Sequence, residues 1–247
     1  MIDVSVVIPA YNEDLEVLNR AERSAYKANA DQLITVFDGP QMEPDRLVVL
    51  DEDGEVESGV EHERLPINWY ETLTTTVIAS MHAGICHARN LGIRMAWNDL
   101  IVPLDADDEL LPDGLQKLVD AWEPGTLVYG NWLEALPTGP DGNSFEELKI
   151  APPPAMLSRK HVAHATWLFH KDDWRRVGGF DPDFNIGGED WAFMVALVAA
   201  GVKAVRINAP IFKRTVRSGS RTDQARGRID FIRQLLREKY PKVMNAG

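Results

Sequence analysis

The stretch Val4-Ser5-Val6-Val7-Ile8-Pro9 constrains this 247-residue chain more than any other. It is β-branched and nearly all apolar, so a strand built from it is apolar on both faces. Such a strand is stable only when both faces are covered, which is the setting of a central parallel sheet. Asn12, Glu13 and Asp14 then offer a helix cap, and Leu15, Leu18 and Ala21 follow at helical spacing. A second buried run, Leu33-Ile34-Thr35-Val36-Phe37, ends at Asp38-Gly39-Pro40. Strand, helix and strand within 40 residues predict a right-handed βαβ unit and an α/β class with a mostly parallel sheet flanked by helices.

The alternation continues down the chain. Residues 46–50 and 75–79 read as strands on either side of an acidic hairpin or loop at 51–63. Residues 88–97 read as a helix, and 100–104 as a buried strand that runs straight into Asp105-Ala106-Asp107-Asp108. A helix over 112–122 carries proline near its first turn, and 127–132 is again a strand. Residues 137–154 are rich in Pro, Gly and Asp and read as a loop or subdomain boundary. Beyond them come a strand at 167–169, a short helix at 172–177, an apolar helix at 191–200, a strand at 202–207 and a basic amphipathic helix at 223–240.

Charge and composition exclude several classes. The net charge of −12 argues against general nucleic-acid binding, which needs a basic footprint. The charge is uneven: residues 203–242 hold twelve Lys/Arg against three Asp/Glu, a local +9, so the remainder carries −21. A basic end suits an anionic partner such as a diphosphate, a membrane surface or an acidic protein, or it is a solvated helix face. No apolar run reaches the roughly 18 residues that span a bilayer. The N-terminus lacks a basic region ahead of its apolar stretch, and Cys86 is the one cysteine; both point to the cytoplasm. There is no Gly-x-Gly-x-x-Gly after the first strand, no Walker A lysine loop and no Gly-x-Ser-x-Gly elbow.

The residues able to carry chemistry are acids at strand ends. Ligands of open α/β sheets bind beyond the carboxyl ends of the strands. Asp38 stands at one such end, and Asp105, Asp107 and Asp108 crowd another. Crowded carboxylates repel one another unless a hard divalent cation, Mg²⁺ or Mn²⁺, sits among them and bridges to phosphates. A helix cap with surface acids is the alternative. Arg89, at a helix start, offers a bidentate fork to phosphate or else a surface ion pair. Glu189-Asp190 follows two glycines and opens an apolar helix; it is either a dipole-favoured cap or a general base. His161, His164 and His170 lack a fourth partner for zinc.

Taken in order, four blocks resemble glycosyltransferase family two: Val4 to Glu13; Gly84 with Ala88-Arg89-Asn90-Leu91-Gly92; Leu104-Asp105-Ala106-Asp107-Asp108; and Gly178-Gly179-Phe180-Asp181 followed by Gly188-Glu189-Asp190-Trp191. The resemblance implies a GT-A fold and inverting transfer from a nucleoside-diphosphate sugar, most commonly UDP-linked. It implies that Pro9, Tyr11 and Glu13 surround the nucleoside and Asp38 hydrogen-bonds the base. It puts Arg89 near the base or phosphates, Asp105 at the ribose or donor sugar, Asp107 on the metal, and Asp190 in place as catalytic base. It also divides the chain into a catalytic domain over 1–221, with a nucleotide-binding half at 1–108 and an acceptor-side half at 109–221, and a C-terminal helix at 222–247.

The chain departs from the family pattern at two places. Phe37-Asp38-Gly39-Pro40 has one acid where two are usual, and residues 41–75 are long and acidic. Arg217 precedes Ser218-Gly219-Ser220 where many members carry histidine; we expect Arg217, with Arg214, to meet the diphosphate. The expected acceptor is a glycan, a lipid carrier or a protein, with peripheral membrane contact and a homodimer left open. Two competing readings share the topology. A sugar nucleotidyltransferase needs a glycine-rich basic loop, which Pro9-Ala10-Tyr11-Asn12-Glu13 is not; a non-catalytic binding module would have lost Asp105, Asp107 or Asp190.

Overall fold

The computed structural model describes residues 3–39, 48–49, 74–80, 82–135, 146–161, 164–216 and 227–245. The acidic segment 51–63, residues 137–145 of the Pro/Gly-rich stretch, and Arg217 lie outside these residues. The first half runs β1 (Val4–Ala10), α1 (Leu15–Lys27), β2 (Gln32–Asp38), β3 (Val48–Val49), β4 (Thr74–Ser80), α2 (Ile85–Met95) and β5 (Leu100–Pro103). The second half runs β6 (Glu109–Leu110), α3 (Gly114–Ala121), β7 (Thr126–Ala135), β8 (Glu146–Lys149), β9 (Trp167–His170), α4 (Lys171–Val177), α5 (Glu189–Ala199), β10 (Lys203–Thr215), α6 (Ile229–Lys239) and α7 (Pro241–Met244).

Among the described residues the strands form one sheet in the order β3-β4-β2-β1-β5-β9-β7-β10-β6, with β8 beside β7. β1 is parallel to both β2 and β5, and β2 is parallel to β4. This brings the carboxyl ends of β1, β2 and β5 together. The antiparallel strand β9 joins this half to β7, which pairs parallel with β10. The α/β, mostly parallel sheet read from the apolar runs is the one observed.

Alternation along β1 explains why the run is apolar throughout. Val6 and Ile8 face a core completed by Leu18, Ala21 and Ala25 of α1 and Leu115 and Leu118 of α3. Val7 faces the opposite core, with Leu91 and Ile93 of α2 and Trp191, Phe193 and Val195 of α5. The basic helix α6 is not a free arm, because its Ile232 and Leu236 are buried in that second core. Lys239 at its end pairs with Asp181 at 2.5 Å and Asp183 at 2.6 Å.

Local details move the helix ends away from the sequence reading. α2 starts at Ile85, three residues early, because Asp38 accepts the backbone N–H groups of Ala83 (2.9 Å) and Gly84 (2.8 Å) just ahead of it. It ends where the buried Lys171 Nζ donates to the carbonyls of Arg94 (3.0 Å) and Ala96 (2.6 Å). Gly92 lets α2 lie close on the sheet: a Cβ there would stand 2.4 Å from Val7 Cγ1 and 3.0 Å from Val36 Cγ2. No helix among the described residues is long and apolar enough to cross a membrane.

Candidate active site

The site gathers at the carboxyl ends of β1, β2 and β5. β1 ends in Pro9 and Ala10, and the chain then turns through Tyr11 and Asn12, the latter in the left-handed region at φ 52°. Tyr11 is half exposed and its ring stacks on His82, centroids 4.3 Å apart and planes 20° from parallel. Gly39 closes against this pair, where a Cβ would meet Tyr11 Cε2 at 3.3 Å. Glu13 lies just beyond and accepts the N–H of Asp14 at 3.2 Å. Asp38 lies beneath, buried, with one oxygen on Ala83 N–H, the other on Gly84 N–H, and its backbone carbonyl 3.2 Å from His82 Nδ1. An exposed flat ring over a polar floor is a surface on which a base can stack.

The acidic motif follows β5. Leu104 N–H donates to the Val7 carbonyl at 2.9 Å, and Asp108 N–H donates to the Asp105 carbonyl at 3.0 Å, closing a tight turn. The turn leads into β6, whose pairing with β10 sets Leu110 opposite Phe212 and Glu109 opposite Lys213. That register carries the end of β10 to the motif: Thr215 N–H donates to Asp108 Oδ1 at 3.1 Å. Arg214 comes with it, its Nη1 donating to Glu134 Oε1 at 3.1 Å. Burial, then the charges of Asp105 and Asp107, push the Asp108 carboxyl well above the usual carboxylate range, against the pull of Thr215 N–H and Arg214.

Arg89 ties this motif to the second half of the site. Its guanidinium is fully buried, donating from Nη2 to Asp105 Oδ1 at 2.7 Å and from Nη1 to Glu189 Oε1 at 2.9 Å. Burial works against its charge, but Asp105, Glu189 and Asp190 outweigh that cost and the guanidinium stays protonated. The described hydrogen bonds of Arg89 are therefore to these two carboxylates, and its fork lies between Asp105 and Glu189.

Glu189 and Asp190 open α5 after Gly187 and Gly188, which both have positive φ, 119° and 74°. Asp190 Oδ1 accepts the N–H of Trp191 at 2.8 Å, and Oδ2 stands 3.5 Å from His161 Nε2. Burial raises the Asp190 carboxyl, but His161, Arg89 and His164 outweigh it and hold the group below its ordinary value. His164 lies edge-on to Trp132 at 4.7 Å. Its imidazole is pushed down to about 3 by burial and by the charges of His161 and Arg214, opposed by Asp190 and Asp105.

The three histidines weighed for zinc thus part company. His161 and His164 approach Asp190, while His170 pairs with Leu100 at the amino end of β5, caps α4, and stacks near Trp122. Nothing in the sequence marked His82 or Glu134, and His161 and His164 were visible there only as metal candidates. Each sits in a connecting segment or on a strand, with no spacing that signals its destination.

The profile described as Glycosyl transferase family 2 matches residues 5–147. Over 127 residues the chain is 28% identical to the undecaprenyl-phosphate 4-deoxy-4-formamido-L-arabinose transferase of Proteus mirabilis (strain HI4320), covering 51% of this chain and 36% of that protein. The chain therefore spans well under half the length of that relative. Among solved structures, S. aureus TarS 1–349 in complex with UDP-GlcNAc is similar at a TM-score of 0.64 and 12% identity, covering 90% of this chain and 61% of that one. S. aureus TarS 1–349 alone gives 0.60 at 12% identity, covering 87% and 60%. At such identities the likeness establishes the fold alone. With the four motifs brought to one end of the sheet and the profile matching across residues 5–147, the chain belongs to glycosyl transferase family 2 and has the GT-A fold.

Proposed function

We propose that this chain transfers a sugar, with inversion, from a nucleoside-diphosphate sugar to an acceptor hydroxyl, with Asp190 as general base and a divalent cation at Asp107. The observation that carries the reading is the buried Arg89, which bonds Asp105 on one side and Glu189, next to Asp190, on the other. It fixes the donor-side motif and the helix that bears the base in one rigid frame. Displacement at an anomeric carbon needs that: the base and the departing diphosphate must stand on opposite sides of the sugar.

The donor is read as UDP-linked, since the TarS structure at the higher TM-score is a complex with UDP-GlcNAc. In this reading Pro9, Tyr11, Glu13 and Asp38 surround the nucleoside, and Asp105 meets the ribose or donor sugar. Arg214, and Arg217 beyond the described residues, meet the diphosphate. The acceptor is a glycan, a lipid carrier or a protein; the P. mirabilis relative, named for undecaprenyl phosphate, favours the lipid carrier.

Mn²⁺ or Mg²⁺ fits this donor set. Among the described residues no three His, Cys, Asp or Glu side chains form a ready-made cage. A hard cation shared with substrate phosphates needs only one or two protein carboxylates. Burial first, then the charges of Asp105 and Asp107, raise Asp108, and a cation at Asp107 would relieve the charge contribution. When bound, it would take up negative charge on the diphosphate. Asp190 accepts the proton of the acceptor hydroxyl as the acceptor oxygen attacks the anomeric carbon and the bond to the diphosphate breaks.

The test is a panel of UDP-, GDP- and dTDP-sugars with Mn²⁺ or Mg²⁺, scored by thermal shift and donor hydrolysis. At least one donor should raise Tm. No shift with any donor in the presence of metal counts against the reading. Asp190→Asn should abolish transfer and leave donor binding nearly intact, whereas equal loss of both would make Asp190 structural.

A further inference from the structure

His161 reaches the site from the segment between β8 and β9, far in sequence from the helix that bears Asp190. Two hydrogen bonds hold that segment in place. Trp191 Nε1, from the first turn of α5, donates to the Leu157 carbonyl at 2.8 Å, and Tyr129 on β7 donates from its hydroxyl to the Pro152 carbonyl at 2.8 Å. His161 Nε2 is buried, has no hydrogen-bond partner among the described residues, and lies 3.5 Å from Asp190 Oδ2. A buried polar atom without a partner carries a cost that needs a reason. Hydrogen bonds between catalytic groups are often long before substrate binds and tighten afterwards.

The chemistry supplies the reason. Burial works against the Asp190 carboxylate, but the neighbouring His161, Arg89 and His164 outweigh it and hold the group below its ordinary pKa. A carboxylate so stabilised is a poor final resting place for a hydroxyl proton. A neighbouring imidazole with an open nitrogen lone pair is a better one. We propose that His161 is the relay partner of Asp190: its unprotonated Nε2, beside Oδ2, receives the acceptor's proton once Asp190 has taken it and so frees the carboxylate.

This inference rests on Asp190 being the base. The acceptor oxygen forms its bond to the anomeric carbon, and the carbon–oxygen bond to the diphosphate breaks with its electron pair leaving on the diphosphate. The hydroxyl proton passes to Asp190 Oδ2 and on to His161 Nε2, and the imidazolium then returns one proton to solvent from Nδ1. The charged and titratable groups around the pair are Arg89 near Asp190, His164 beside His161 with ring centroids 6.0 Å apart, and Asp105 and Arg214, which act on His164. His164, buried and neutral, adds no competing positive charge near neutral pH.

His161→Gln keeps a polar group of similar reach that cannot accept a proton. ¹³C NMR of carboxyl groups in the ligand-free protein, with Asp190→Asn identifying the signal, should show the Asp190 carboxyl titrating at higher pH in H161Q than in the parent. This readout needs no donor. With the panel donor giving the largest thermal shift, H161Q should lower kcat by about ten-fold or more. Donor affinity should change little, and the acidic limb of kcat should shift. His161→Ala should regain turnover with added imidazole, while D190N should not. An unmoved Asp190 titration in H161Q, or an unchanged kcat and pH profile, overturns the proposal. If D190N itself still transfers sugar, the base assignment has failed first; if D190N is inactive while H161Q matches the parent, only the role of His161 falls.

Discussion

Arg89 and Glu189 stand 100 residues apart and meet in a 2.9 Å hydrogen bond inside the protein, with the guanidinium shielded from solvent. The other half of the same guanidinium holds Asp105 at 2.7 Å. A buried ion pair is weak as a source of stability, but removing one partner is costly because the other is left charged and uncompensated.

Arg89→Ala should therefore destabilise the fold by roughly 3–5 kcal/mol. Combining it with Glu189→Gln should recover part of that loss, since the stranded carboxylate is gone. Urea titration of the two single variants and the double variant measures the coupling directly. Strictly additive losses would mean that Arg89 matters for packing, on the Phe180 ring 5.2 Å away, rather than for charge.

His164 predicts how the protein responds to acid. Its folded pKa of about 3 lies below the ordinary imidazole value because burial favours the neutral ring. As pH falls below roughly 6.5 the unfolded chain binds a proton here and the folded chain does not. The unfolded state thus holds more protons, and stability falls as pH falls, by up to about 1.4 kcal/mol per pH unit. The cost builds until the folded value near 3 is reached. His164→Phe should flatten this decline between pH 6 and pH 4, read as Tm against pH. A decline as steep as the parent's would assign acid sensitivity to other groups.

Tyr11 tests the donor side. Its ring is 51% exposed, so Tyr11→Ala should leave the urea midpoint nearly unchanged. If a base stacks on this ring, truncation should weaken donor binding by about 1–3 kcal/mol, a fall in affinity of roughly five- to 150-fold. Isothermal titration with the donor chosen from the panel reads the change. Unaltered affinity would move the base away from the Tyr11–His82 stack.

Much of the architecture was legible from local signals. The double-sided apolar run of β1 required a covered parallel strand, and the strand at 100–104 delivered Asp105, Asp107 and Asp108 to a carboxyl edge. Helix ends were less legible because their partners are remote: Asp38 fixes the start of α2 from another strand, and Lys171 fixes its end. The long strand β10 was read only to residue 207, yet it runs to Thr215 because β7 and β6 pair with its polar end.

The sequence by itself determined the fold class, the family and the order of the acidic motifs, since each rests on periodicity or on residues within a few positions of one another. Tertiary structure alone decided what those residues touch. It turned Arg89 inward between Asp105 and Glu189, brought Thr215 to Asp108, and set His161 beside Asp190. The reason is physical: side-chain partnership at a sheet edge depends on strand order and register, and these are fixed by burial of both sheet faces, a property that no short stretch of chain possesses alone.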